Sequence, residues 1–171
     1  MTAPVLAYKK FYIIKPATGR NYIYKPTFAE PDGATGWTAA GAGVTKEITS
    51  DEQRHGAYCM QVNPAAGVDS YVTYTVPVTD GLHYTFSCDL KGTSGVTVSI
   101  SIRDASLVSK ASKNITFTGY WQRAEVTWLA DATASDYKID ILQSSAETSN
   151  DPFYVDGVQF EPTAVATTLM E

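Results

Sequence analysis

The chain reads as an all-β protein, an antiparallel two-sheet β-sandwich of the jelly-roll kind, and three observations predict it. Threonine occurs 21 times and tyrosine 11 times, residue types that suit a pleated, half-buried surface. Short apolar alternations of period two recur between turn signals, supplied by 12 Gly and 8 Pro. No stretch sustains an apolar pattern at i, i+3, i+4, i+7, so no helix is expected.

Residues 1–20 stand apart. Phe11, Tyr12, Ile13 and Ile14 form a consecutive apolar run, and Pro16-Ala17-Thr18-Gly19 ends it. Two readings stand: a first strand of the sandwich, or an extended N-terminal arm whose unpaired backbone adds to a neighbouring chain. The run favours the arm, because a strand with one wet face would expose half of it. From Asn21, Tyr22-Ile23-Tyr24 leads to Phe28 as an opening strand, followed by Pro31-Asp32-Gly33 and Gly36-Trp37. Further strands are expected at residues 44–49, 58–62, 71–78, 82–90, 96–102, 115–117, 124–128, 137–141 and 153–160. Of these, Val96-Thr97-Val98-Ser99-Ile100-Ser101-Ile102 alternates most cleanly. The predicted core includes Tyr84, Phe86, Val98, Ile100, Val126, Trp128, Ile139 and Val158.

At 171 residues the length suits one domain, read as a sandwich over residues 21–162 with a tail at 163–171. Thirteen Lys and Arg against 18 Asp and Glu give a net charge of −5, which offers no electrostatic footprint for nucleic acid. No apolar run approaches the roughly 18–20 residues that cross a bilayer. Lys9 and Lys10 follow a short apolar patch, the reverse of a secretory signal, so the chain is expected to be made and kept in a cytoplasm, or carried out inside something larger. Alternation points Cys59 outward and Cys88 inward, which fits two free thiols and gives a zinc site no support.

Four segments together resemble the jelly-roll domains of the carbohydrate-binding-module superfamily, which occur in glycanases and in bacteriophage tail and capsid-surface proteins. They are Asn21 to Glu30 with Gly36-Trp37, His55 to Val62, Gly81 to Ser87, and Trp121-Gln122-Arg123 with Phe153 to Pro162. The resemblance covers about residues 19–167. In one respect the chain departs from it: Ala29 separates Phe28 from Glu30, where the family has the aromatic and the acid adjacent.

The resemblance implies a structural calcium, held by Glu30, Asp156 and backbone oxygens near Asp51 to Gly56. It also implies glycan binding on a sheet face. The positions opposite the core read Thr85, Ser87 and Asp89, then Thr97, Ser99, Ser101 and Arg103, then Lys138 and Asp140. Tyr71 supplies the one ring, so the candidate ligand residues are Tyr71, Arg103, Lys138 and Asp140. Trp37 and Trp128 read as core.

Catalysis finds little footing. His55 and His83 are the only imidazoles, and no motif sets an Asp to orient either ring. Gly41-Ala42-Gly43 precedes a strand, so it is no phosphate loop. Two functions follow from the resemblance. The first is a non-enzymatic structural subunit of a phage virion, made in the host cytoplasm, that meets other virion subunits or copies of itself through Phe11, Tyr12, Ile13 and Ile14 and touches host-surface glycans. The alternative is a free-standing carbohydrate-binding module. Fold-level likeness does not by itself choose between them.

Overall fold

The computed structural model describes residues 21–23, 26–28, 33–131 and 136–167. Phe11, Tyr12, Ile13, Ile14 and Glu30 therefore lie outside the described residues. Within them there is no helix, and ten strands follow one another: β1 (Trp37–Ala40), β2 (Thr45–Thr49), β3 (Cys59–Asn63), β4 (Ser70–Pro77), β5 (His83–Lys91), β6 (Thr97–Asp104), β7 (Ser109–Thr116), β8 (Gln122–Leu129), β9 (Asp136–Gln143) and β10 (Phe153–Glu161). They build two five-stranded sheets, β1-β4-β9-β6-β7 and β2-β3-β10-β5-β8. Every pairing is antiparallel. The expected sandwich is the observed one.

Strand alternation decides what each face holds. Along β6, Val98, Ile100 and Ile102 are buried between the sheets, while Thr97, Ser99, Ser101 and Arg103 point away. Each such side chain contributes about 1.5–3 kcal/mol by leaving water. Ring contacts join the layers. Trp128 of β8 meets Tyr137 of β9 across the sheets at 4.9 Å between centroids, while within one sheet Tyr84 of β5 stacks on Phe160 of β10 at 5.0 Å. Seven of the eight predicted core residues are buried. The eighth, Val126, is half-buried because β8 is an edge strand, where the far side lacks a neighbour.

Three local expectations are corrected. Residues 21–23 are not a strand. Instead they lie along the second half of β10, where pairing with β3 has stopped at Val155. The Asn21 side chain does the work of a ladder residue: its Oδ1 accepts from the Phe160 amide at 3.0 Å, and its Nδ2 donates to the Val158 carbonyl at 3.1 Å. Phe117 lies beyond β7, fully buried, with its amide donating to the Val96 carbonyl at 2.8 Å. Cys59 is buried rather than outward-facing in water. It does point to the outer face, but the stretch before β3 folds over it, and this burial pushes its thiol up to about 12.

Candidate functional site

The outer face of the β1-β4-β9-β6-β7 sheet is a grid set by register. One row runs Tyr71, Leu142, Ser99, Asn114; the next runs Thr73, Asp140, Ser101, Ser112; the third runs Thr75, Lys138, Arg103. Neighbouring strands stand about 4.8 Å apart, so side chains within a row touch, and those in adjacent rows are reachable by long side chains. The structure thus brings Tyr71, Arg103, Lys138 and Asp140 together from three strands.

Arg103 makes the connection. It leans diagonally across the middle row, where its Nε donates to Asp140 Oδ2 and its guanidinium carbon lies 5.1 Å from the centre of the Tyr71 ring. The hydrogen bond to Asp140 holds the guanidinium protonated even more firmly than usual. Asp140 is fully buried beneath this pair. Its Oδ1 and the Thr73 hydroxyl, its neighbour in the row, have no hydrogen-bond partner among the described residues. Buried polar atoms are satisfied in most native structures, so two side by side on an outer face mark unused hydrogen-bonding capacity. One row away a cavity of about 240 Å³ opens between Ser99, Asn114, Leu142 and Glu147.

Thr85, Ser87 and Asp89, which alternation also places opposite the core, belong to the other sheet. There they are covered and paired. Thr85 donates to the Thr163 carbonyl at 2.8 Å, so the segment after β10 lies across this face. Arg123 donates to Asp89 at 2.9 Å, to Ser87 Oγ at 2.8 Å, to the Gly157 carbonyl at 2.5 Å and to Gln159 Oε1. His55 Nε2 meets Asp89 Oδ2 at 3.0 Å.

Asp156 lies on the same face and is fully buried. Its Oδ2 accepts from the amides of Arg54 at 2.9 Å and His55 at 2.7 Å, and its Oδ1 from the Gly157 amide at 2.7 Å. Burial pushes this carboxyl above its usual range, and the three amides oppose the shift. Calcium takes six to eight hard oxygen ligands. Here the loop aims amide hydrogens at the carboxylate where a calcium site would need carbonyl oxygens. Among the described residues, no group of three His, Cys, Asp or Glu side chains could hold a metal. The described part of the implied calcium set does not fit the ion.

A larger concavity, about 410 Å³, lies at the end of β5 and the start of β10. Two pairs of its polar side chains are engaged, Lys91 with Glu52 at 2.5 Å and Thr93 with Asp151 at 2.9 Å, and Tyr154 also lines it. Size and chemistry disagree, and chemistry favours the grid. The His55–Asp89 contact gives a histidine an orienting carboxylate that the sequence did not reveal, because 34 residues separate them. It does not form a nucleophilic triad with Ser87, whose hydroxyl is bonded by Arg123.

A family model described as a carbohydrate binding domain matches residues 20–146. No curated protein matches the chain. Among solved structures, the chain is similar to TmCBM61 in complex with β-1,4-galactotriose, at 18% identity and a TM-score of 0.61, covering 82% of this chain and 97% of that one. It is also similar to the CBM22-1 xylan-binding domain of Paenibacillus barcinonensis Xyn10C, at 17% identity and a TM-score of 0.63, covering 86% and 97%. A third likeness is to the enzymatically active domain of bacteriophage CBA120 tailspike protein 4, at 16% identity and a TM-score of 0.63. It covers 82% of this chain but only 21% of that one. At these identities the likenesses show the fold, a jelly roll.

Proposed function

The chain belongs to the carbohydrate-binding domain family, and from that premise we propose that it is a non-catalytic module that binds glycans on the outer face of the β1-β4-β9-β6-β7 sheet. The observation that carries this reading is the cluster of Tyr71, Arg103 and Asp140. A sugar presents C–H faces that pack on an aromatic ring, and hydroxyls that bond to charged and polar groups. The cluster supplies both, with Arg103 fixed by Asp140 so that little ordering is left for the ligand to impose. Lys138 extends the polar face on one side, and the Ser99–Asn114 cavity extends it on the other, so a glycan lying diagonally over the rows meets all three. The xylan and galactotriose named for the structural neighbours support oligosaccharides as the ligand class.

A glycan array followed by calorimetric titration of the best ligand tests the reading. Tyr71→Ala and Arg103→Ala should each weaken binding about tenfold, in line with a lost stacking or charge-assisted contact, and no glycan should be turned over. Binding unaffected by either substitution would place the site elsewhere.

The tailspike likeness supports a second proposal, about where the module works. With a single ring on its face among the described residues, one copy binds weakly, and many displayed copies bind well. A subunit on a phage tail or capsid surface, made in the host cytoplasm, would use it in this way. Labelling the protein in purified particles tests this directly.

A further inference from the structure

The outer face of the second sheet holds a cation of its own. The Arg123 guanidinium, projecting from β8, donates to four oxygens: Asp89 Oδ2 and Ser87 Oγ on β5, and the Gly157 carbonyl and Gln159 Oε1 on β10. This is an oxygen cage drawn from two strands and closed by an internal charge. Beside it, Asp156 gathers the amides of Arg54, His55 and Gly157, while His55 reaches Asp89. We propose that Arg123 is the resident structural cation of this jelly roll, and that the chain ties the loop around Arg54 and His55 to its sheet without calcium.

Three features argue for it. Oxygens that a calcium ion would claim are already hydrogen-bonded, Asp89 Oδ2 by Arg123 and His55, the Gly157 carbonyl by Arg123, and both Asp156 oxygens by amides. A divalent ion placed among them would also face the guanidinium at close range, a repulsion that low-dielectric surroundings strengthen. Lastly, the backbone is shaped to the cluster. Gly157 has φ +53°, and a Cβ there would fall 2.8 Å from Asp89 Oδ2 and 2.9 Å from the His55 ring. The space is closed by protein atoms, and only glycine allows the strand to come so near.

Thermal melts of the full chain in millimolar calcium chloride and in excess EDTA test the proposal, with a calorimetric calcium titration beside them. The expected result is one Tm in both buffers and no saturable calcium binding. Arg123→Ala should lower the Tm by about 6–12 °C in either buffer, because it strands buried oxygens. Arg123→Lys should recover only part, since one ammonium cannot reach four acceptors in a plane. If Arg123→Ala gives no folded protein, Asp89→Asn provides a milder version of the same loss. A Tm raised by calcium, stoichiometric calcium binding, or an Arg123→Ala protein as stable as its parent would each overturn the proposal.

Discussion

Asp140 is a fully buried carboxylate that, among the described residues, forms its ion pair with Arg103. Its energetic role is to keep Arg103 over Tyr71, and a neutral amide of the same shape does this poorly. Asp140→Asn should therefore weaken glycan binding, since Arg103 is no longer held in place. It should also lower unfolding free energy by about 1–3 kcal/mol, the usual cost of a lost charged hydrogen bond. Urea unfolding and glycan titration read the two effects separately. Cys59 makes a different prediction at the same scale. Its thiol is pushed from the ordinary 9.0 up to about 12 by burial and by nearby carboxylates, Asp156 foremost. The unfolded chain then loses this proton first as pH rises, so the unfolded state is favoured in alkali. Stability contributed by the neutral thiol is full below pH 9.0 and is lost progressively toward about 12. The urea midpoint should fall through that window. Cys59→Ala should make the fall shallower without removing it, because burial also pushes Cys88 up. An identical slope in the variant would contradict this account.

Among the elements, the turn from β5 to β6 is the tightest junction. Gly92 packs on the ring of buried Phe117, and a Cβ there would stand 2.3 Å from two ring carbons. Gly92→Ala must move the ring or the strand end, so it should cost about 1–3 kcal/mol, the range of overpacked cores. Chemical denaturation checks it, and a neutral result would mean that Phe117 has room to shift. Elements differ in how far sequence exposes them. β6 and β9 were legible because one face of each is core and the other polar, which writes a clean period of two. β7 was legible only at its end, because an edge strand of Ser, Lys and Asn buries little. The opening segment misled because its pairing with β10 runs through an Asn21 side chain rather than a ladder. Alternation tells inside from outside but not which sheet a strand joins. That is why Asp89 and Asp140 read as one face and lie on two.

For the whole molecule, the open question is how one sandwich is joined to anything else. The described residues close a core between two five-stranded sheets, and every residue of that core lies between Ile23 and Phe160. Among the described residues, the opening segment is held by Asn21, whose side-chain amide grips β10. Removing residues 2–18 should therefore leave the sandwich folded, with an unchanged sheet-rich circular dichroism spectrum and a Tm within a few degrees of the parent. What should be lost is assembly. Phe11, Tyr12, Ile13 and Ile14 are β-prone and apolar in succession, and such a segment is stable in water only when something covers it. If another chain is that cover, the truncated protein should elute at monomer mass, or fail to join particles. Its affinity for a single soluble glycan should stay the same, while avidity on a glycan-coated surface drops to the single-site value. If the segment were instead an integral strand, deletion would bare core on one sheet, and the truncated chain would lose its spectrum along with its partners. Measuring mass, spectrum and single-site affinity on one preparation separates an arm from a strand, because only an arm can be removed without touching the last two.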